Sequence, residues 1–393
     1  MSSFQPVKIL KSQLSNATGP QRLRKSLLVI QLSISIGIII FSGVLYLQLQ
    51  YITQKNLGFD RENMIRVEPT ANIFRKFDAF KNELSKHASI ISVATSANNP
   101  LDIGGGNTGV SWPGKPKDLR VTFKTIACSY EFPETLGLKL IDGRGFFSQP
   151  QDSLHTEVLI TEEASKVMGL QKPVGTIINI GESACVITGV VNDFHTNSLH
   201  EARMPAILFR VRYWNTSAVY IKYQPGTAQQ SLAAIGTAYK QLEPDYTMKY
   251  WFQDDTFNEL YKTEITASKL VLIFTIVALV IACIGIASLA TFNALRKTKE
   301  IGIRRVFGAT IFQMLVLLFN EFAIVLLVAI LASAPLAWYA ADEWLTGFAY
   351  HTTMPWWVFG STFAGVALLI ILITWLQGMR AAASSPAKTL RTE

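Results

Sequence analysis

Four side chains that lie close together in the sequence have the composition of a metal site. They are Asp193, His195, His200 and Glu201. Histidine nitrogens and carboxylate oxygens are common ligands of Zn²⁺, so the group is compatible with a metal-dependent hydrolase. A strand that ends in a polar turn would explain the same residues without a metal. The residue types alone leave both interpretations open.

The signatures of other chemistry are absent from the sequence. It contains no G-x-x-x-x-G-K-[ST] phosphate loop, no H-E-x-x-H zinc motif and no G-x-S-x-G motif. The glycines at 104–106 lack the flanking strand and helix of a phosphate loop and are interpreted as a flexible turn. Three cysteines give neither a disulfide framework nor a metal-ligand spacing. We therefore expect no cofactor in this chain.

Asn320 and Glu321 are polar residues inside a long apolar run. An ionisable group within a membrane is costly, and it is a functional candidate by default. The alternative is a carboxylate that faces inward and bonds to a neighbouring helix. Both residues are therefore candidate intramembrane polar sites.

Four apolar runs are long enough to cross a bilayer. Each holds about 21 residues, which span roughly 30 Å as a helix, the thickness of the hydrocarbon core. They cover residues 27–47, 270–290, 311–331 and 356–376. Pro335 is expected to end or kink the third helix. The aromatic residues around the following loop are expected to form an interfacial belt: Trp338, Trp344, Phe348, Tyr350, Trp356 and Trp357.

The distribution of charge predicts the orientation. The formal net charge of the chain is +8, and the basic residues concentrate in the first segment, the central loop and the C-terminal tail. The positive-inside rule places both termini and the central loop in the cytoplasm. The net positive charge is therefore explained by membrane topology, and no nucleic-acid partner is expected.

Between the first two apolar runs lies an outer region with mixed strand and helix signals. Residues 64–95 have the pattern strand, helix, strand, and residues 206–252 have the pattern strands, helix, strand. These two flanks are expected to pack as one α/β subdomain. Residues 97–205 are expected to form an inserted, strand-rich part. The predicted fold is an α-helical membrane protein with four transmembrane helices and a mixed α/β extracytoplasmic domain.

A basic segment between the second and third runs has the pattern of a short amphipathic helix. Glu300 precedes Arg304 by one helical turn, which favours an ion pair. Ile303, Val306 and Phe307 fall at i, i+3 and i+4 and make one apolar face, and Gly308 suits a left-handed helix cap. Thr310 can then cap the membrane helix that follows. The alternative is a basic loop that only sets topology.

The run from Lys299 to Thr310 closely resembles the loop before the third helix of FtsX-like and MacB-like ABC transporter permeases. Gly58-Phe-Asp60, Gly143-Arg-Gly-Phe146 and the run from Gly189 to His200 resemble the outer domain of the same family. The resemblance implies a porter-like subdomain with an inserted subdomain. It also implies a coupling helix that docks on a cytoplasmic ABC ATPase dimer, which would bind ATP and Mg²⁺. The coupling residues carried over are Glu300, Ile301, Gly302, Arg304, Arg305 and Gly308.

The resemblance implies a permease subunit without catalytic activity in the bacterial inner membrane, for export or for mechanotransmission. A pattern shared by Pro6–Lys11 and Pro386–Arg391 is either a chance similarity or the sign of one four-helix unit, equivalent to the C-terminal half of an eight-helix permease. Such a unit would be a split or truncated half, or a four-span form that dimerises. Its partner would be a second permease half or a second copy, and an envelope protein is a further candidate partner. The runner-up function is a membrane-anchored extracytoplasmic metal-dependent hydrolase.

The expected order along the chain follows from these assignments. It is a basic cytoplasmic segment at 1–26, transmembrane helix 1 at 27–47, an extracytoplasmic domain with a helical stalk at 48–269, transmembrane helix 2 at 270–290, the coupling helix at 291–310, transmembrane helix 3 at 311–331, a short outer loop at 332–355, transmembrane helix 4 at 356–376 and a cytoplasmic tail at 377–393. An FtsX-like permease domain is expected at 270–385.

Overall fold

The chain divides into two compact units in a computed structural model, which describes residues 18–147, 155–211, 216–296, 307 and 310–383. The helical unit takes the chain up to Thr53, Glu264–Gly347 and the chain from His351 onward. The sheet unit comprises Gln54–Thr263 and the tripeptide Phe348–Tyr350.

Ten helices are found in the described residues. They are α1 (Thr18–Gln54), α2 (Ala71–Arg75), α3 (Phe77–Leu84), α4 (Phe132–Thr135), α5 (Glu162–Met168), α6 (Ala228–Leu242), α7 (Gln253–Leu260), α8 (Lys262–Arg296), α9 (Ile311–Thr346) and α10 (Trp356–Ala383).

The same residues form eleven strands. They are β1 (Met64–Val67), β2 (Ile90–Ser96), β3 (Val110–Ser111), β4 (Lys124–Cys128), β5 (Leu140–Gly143), β6 (Thr156–Thr161), β7 (Ile177–Ile180), β8 (Ser183–Val191), β9 (Ala206–Arg210), β10 (Ala218–Tyr223) and β11 (Tyr250–Phe252).

The helical unit is built from α1, α8, α9 and α10, each long and apolar enough to cross a membrane. Its core is made of aliphatic side chains such as Ile36, Ile40 and Ile286 together with Phe322, all fully or almost fully buried. Backbone groups in a lipid environment must bond within their own helix. The apolar runs are therefore continuously helical, and all four helices extend beyond them.

Pro335 does not end the third of these helices. It lies inside α9, a helix of 36 residues that continues past the proline to Thr346. The loop predicted at 332–355 therefore starts only at Gly347 and ends before Trp356. A proline removes one backbone hydrogen bond, and the apolar residues on both sides of it keep the remaining bonds of the helix. A local breaker is thus overridden by its apolar surroundings.

The sheet unit contains one mixed sheet with a narrow joint. The strand order is β11-β1-β10-β2-β4-β9-β6-β8-β7-β3, and β5 also pairs with β8. The pairs β4–β9 and β6–β8 are parallel, whereas the others are antiparallel. Strands β2 and β4 share a single residue pair, Ser96 with Cys128. The sheet therefore has two halves joined by a short stretch of pairing, in which the Ala97 N–H donates to the Ala127 carbonyl oxygen at 2.8 Å and the Ser129 N–H donates to the Thr95 carbonyl oxygen at 2.9 Å.

Each half of the sheet has its own hydrophobic core. Phe77 and Phe80 of α3 pack with Ile235 of α6 beneath β1, β2 and β10, as expected for the two flanks of the outer region. The second core gathers Phe123, Val158 and other residues of the inserted part.

The sequence pattern assigns strand β9 to the flanks, and this assignment is wrong. The strand pairs with β4 and β6, and its Ile207 belongs to the second core.

Candidate functional site

The predicted coupling residues fall outside the described part of the chain. This applies to Glu300, Ile301, Gly302, Arg304, Arg305 and Gly308. The flanks of their segment are defined, because α8 ends at Arg296 and α9 begins at Ile311. Thr310 therefore stands directly before the first residue of a helix, at the position from which a threonine caps helices. Within the segment, Phe307 is described and is 86% exposed.

Three of the long helices meet at one polar cluster. The Asn293 Nδ2 atom of α8 donates a hydrogen bond to the Glu321 Oε2 atom of α9 over 2.9 Å. The Lys25 Nζ atom of α1 lies 3.5 Å from the same oxygen. Asn293 is 2% exposed, whereas the side chains of Glu321 and Lys25 are 23% and 35% exposed. We call Lys25, Asn293 and Glu321 the polar cluster.

The polar cluster connects the two helices that flank residues 297–310. Asn293 lies in the last turn of α8, and Glu321 lies about three turns into α9. A carboxylate among apolar helices needs a hydrogen bond and a cation, because its solvation is lost. Glu321 obtains one of each, from two different helices. The two helices that carry the segment are thereby tied to each other and to α1.

Further contacts join α1 and α8 along their length. The Arg24 guanidinium lies over the Phe292 ring, 4.5 Å from its centroid, a distance typical of a cation–π interaction. Ser35 donates its hydroxyl to the Ala278 carbonyl oxygen at 3.2 Å. A Cβ atom on Gly285 would lie 2.8 Å from the Gln31 Oε1 atom. The absence of a side chain at Gly285 therefore permits close helix packing.

Replacing Glu321 with leucine is expected to destabilise the helical unit by about 1–3 kcal/mol, because it leaves the buried Asn293 amide without this acceptor. Glu321→Gln keeps an acceptor oxygen and loses only the partly exposed ion pair with Lys25, so we expect at most about 1 kcal/mol. Thermal unfolding of the full chain in detergent measures both effects.

The neighbouring Asn320 provides the matched control for this experiment. It lies on the exposed side of α9, so Asn320→Leu should leave the unfolding temperature unchanged. If Glu321→Leu were as stable as Asn320→Leu, the polar cluster would contribute nothing to helix association.

The four residues with metal-ligand chemistry lie in the loop between β8 and β9. We call residues 192–205 the junction loop. The Asp193 Oδ1 atom accepts a hydrogen bond from the Glu163 backbone N–H at 2.8 Å, at the start of α5. Glu201 accepts a hydrogen bond from the Asn197 amide. No three histidine, cysteine, aspartate or glutamate side chains in the described ranges form a group that could hold a metal ion.

The two histidines of the junction loop pack against aromatic rings. His195 is 3% exposed and meets Tyr350 edge to face, with ring centroids 4.8 Å apart. Burial, helped by the nearby cations of Arg203 and Lys55, lowers the pKa of His195 to about 4. His195 is therefore uncharged at neutral pH. His200 stacks on Phe348 at 4.0 Å between centroids.

Several residues of these arrangements cannot be recognised from the sequence pattern. Lys25 stands out only as one of the basic residues that set topology, and Asn293 gives no signal beyond a single amide near the end of an apolar run. Phe348 and Tyr350, which the sequence pattern assigns to an interfacial aromatic belt, also make contacts that this pattern does not predict. Both rings are placed against the junction loop within the sheet unit.

Comparison with known protein families gives two matches that together cover most of the chain. The model of the MacB-like periplasmic core domain matches residues 26–238. The model of the FtsX-like permease C-terminal region matches residues 272–386. The chain belongs to the MacB-like family of ABC transporter permeases. Its four long helices are therefore transmembrane helices, and its sheet unit is the periplasmic core domain of this family.

Curated relatives of this MacB-like permease carry ATP binding in their names. The chain is 24% identical over 211 residues to the macrolide export ATP-binding/permease protein MacB 2 of Aeromonas hydrophila, a match that covers 49% of this chain and 32% of the relative. It is 22% identical over 270 residues to the corresponding MacB protein of Sodalis glossinidius, covering 65% and 41%. The chain thus spans about a third to two fifths of these relatives.

Solved structures of related outer domains show a more distant likeness. The periplasmic region of MacB from Actinobacillus actinomycetemcomitans aligns with 53% of this chain and 97% of its own, at 16% identity and a TM-score of 0.37. The extracellular domain of the ABC-type transporter YknZ from Gram-positive bacteria aligns with 48% and 100%, at 13% identity and a TM-score of 0.34.

The family matches place two of the three residues of the polar cluster within the permease part of the MacB-like chain. Asn293 and Glu321 lie inside the FtsX-like region, and so does the whole segment from 297 to 310. The junction loop lies inside the periplasmic core domain. The two arrangements therefore belong to the two parts that define the family.

Proposed function

We propose that this MacB-like protein is a permease subunit without catalytic activity that couples ATP hydrolysis by a separate cytoplasmic ATPase dimer to a conformational change of its extracytoplasmic domain. The observation that carries the proposal is the position of the family's coupling motif, between two helices that the polar cluster ties together. A force applied at Arg304 or Arg305 would reach α8 and α9 at once, and α1 through Lys25. Export of a substrate and transmission of force to an envelope partner are both compatible with this arrangement.

The nucleotide site is assigned to a partner chain. The 393 residues contain no G-x-x-x-x-G-K-[ST] motif, and the curated relatives are named as combined ATP-binding and permease proteins. We infer that the ATPase supplies ATP and Mg²⁺ and that the permease supplies the docking segment. The alternative of a metal-dependent hydrolase is less well supported, because Asp193, His195 and His200 each make other contacts.

The proposed location is the bacterial inner membrane, with both termini in the cytoplasm and the sheet unit outside. The basic residues at Lys8–Lys25, in the central loop and in the tail support this orientation. Helix α8 exposes a row of large apolar side chains, including Ile273, Phe274 and Ile284. This face is available to lipid and to a second permease half or a second copy of the chain.

Purification of the detergent-solubilised complex from its native cells tests the proposal. The full chain should co-purify with a protein that hydrolyses ATP, and the isolated chain should show no hydrolysis. Hydrolysis by the purified chain alone, or the absence of any nucleotide-hydrolysing partner, would contradict the proposed function.

A further inference from the structure

The junction loop contacts the chain directly after α1. The His195 backbone N–H donates to the Leu57 carbonyl oxygen at 2.7 Å, and the Asn192 amide donates to the Gly58 carbonyl oxygen at 2.7 Å. Phe194 packs edge to face against Phe59, with centroids 6.3 Å apart. Since α1 ends at Gln54, the loop is attached to the first residues that follow this helix.

The same loop contacts the chain directly before α8. The Leu199 backbone N–H donates to the Tyr261 hydroxyl at 2.7 Å, and the Ser198 hydroxyl lies 3.4 Å from the same oxygen. Tyr261 is almost completely buried and separates α7 from α8. The residue that precedes the second transmembrane helix is thereby fixed to the junction loop.

A third contact involves Phe348–Tyr350, which we call the strap. The strap is the linker portion between α9 and α10 that belongs to the sheet unit, while the residues on both sides of it belong to the helical unit. The Ala349 and Tyr350 backbone N–H groups donate to the His200 and Leu199 carbonyl oxygens at 3.2 and 3.3 Å. The strap is thus held by its backbone as well as by its rings.

The side chains of the strap make specific contacts of their own. The Tyr350 hydroxyl accepts a hydrogen bond from the Arg203 backbone N–H at 3.1 Å. The Lys55 ammonium and the Arg203 guanidinium lie 5.4 and 6.0 Å from the centroid of the Tyr350 ring, within the range of cation–π attraction. Because His195 is uncharged, it can pack against the same ring without repelling the two cations.

One loop of the sheet unit therefore holds three chain segments that lead directly into transmembrane helices. We propose that the strap passes movement of the α9–α10 hairpin to the junction loop, as a connection additional to the chain ends of α1 and α8. The strap and both hairpin helices are covalently continuous, so a shift of either helix pulls on Phe348–Tyr350. This proposal deepens the proposed function and rests on it, since the movement is supplied by the ATPase.

The test is hydrogen exchange of the full chain in its ATPase complex, with and without MgATP. In the wild type we expect MgATP to change the exchange rates of the Leu199 and Arg203 amides. The double variant Phe348→Ala/Tyr350→Ala should exchange these amides about tenfold faster, because their local opening becomes easier. It should also lose the response to MgATP while still binding the ATPase.

Two comparisons make the result specific to the strap. The double variant His351→Ala/Thr353→Ala changes exposed residues of the same linker and should behave as the wild type. Tyr350→Phe removes only the hydroxyl bonded to Arg203 and should give an intermediate response, which provides a milder variant if the double variant misfolds.

The outcomes separate the two proposals. If the wild type responds to MgATP and both strap variants respond equally, the strap transmits nothing and this inference is wrong. If the wild-type junction loop shows no response to MgATP although the ATPase is bound and active, the strap inference is again wrong and the proposed function survives. If no ATPase binds, the proposed function fails together with the inference that rests on it.

Discussion

Reversing the charge of Arg304 and Arg305 together is expected to reduce permease-stimulated ATP hydrolysis to the basal level of the ATPase, a loss of at least about tenfold. Like charges placed opposite each other at an interface cost several kcal/mol, and each 1.4 kcal/mol corresponds to about a factor of ten in affinity. Replacing Gly302 with tryptophan should have a similar effect by steric exclusion. The measurement is the rate of ATP hydrolysis in the reconstituted complex.

The appropriate control reverses the same amount of charge elsewhere on the predicted cytoplasmic side. Lys388→Glu/Arg391→Glu alters two basic residues of the tail and should retain normal stimulation. All variants should insert in the membrane and unfold at the wild-type temperature. Full stimulation by Arg304→Glu/Arg305→Glu would refute the assignment of residues 299–310 as the coupling segment.

Gly58→Ala is expected to destabilise the sheet unit by about 2–5 kcal/mol. Gly58 has a φ of +84°, which costs an L-residue about 1–2 kcal/mol. A Cβ atom there would also lie 2.7 Å from the Phe194 Cα atom and still closer to the Asp193 carbonyl oxygen. Overpacking against a backbone typically costs a further 1–3 kcal/mol or so. Denaturant unfolding of the full chain in detergent measures the total loss in the free energy of unfolding.

Gly226→Ala separates the cost of the positive φ from the cost of steric overlap. Gly226 has nearly the same φ, +80°, but no neighbouring atom lies within 4 Å of the position that an alanine methyl group would take. Its loss of stability should therefore be only the conformational cost of about 1–2 kcal/mol. Equal destabilisation by the two substitutions would show that the junction loop yields to the methyl group at Gly58, and that its attachment there is loose.

The positions of helices and strands can be predicted from the sequence better than the elements with which each of them pairs or packs. Apolar length alone locates all four transmembrane helices, because a membrane demands about twenty apolar residues in a row. Helix α6 and strands β1, β2 and β10 follow from local periodicity. The partners of β9 do not, because its alternation of apolar residues fits either half of the sheet and pairing is decided by distant strands.

In the candidate sites, too, single residues can be recognised from the sequence but their contact partners cannot. Glu321 is recognisable because an acid in an apolar run is conspicuous, and a bond to a neighbouring helix is one of the two explanations that its sequence position allows. Its partners Lys25 and Asn293 are ordinary residues at helix ends, and they acquire meaning only when three distant helices meet. The contacts of the strap are equally hidden, since Tyr350 and Phe348 near a membrane helix fit an interfacial belt just as well.

The single residue pair that joins β2 to β4 has a consequence for how this domain can diversify. Two halves with separate hydrophobic cores can change at different rates over evolution, because a substitution deep in one core reaches the other only through a few contacts, such as that of Phe132 with Tyr220. The flank half, which carries both chain ends, would be constrained by the membrane machinery. The inserted half would be free, outside the junction loop, to acquire new recognition surfaces while the rest of the protein stays the same.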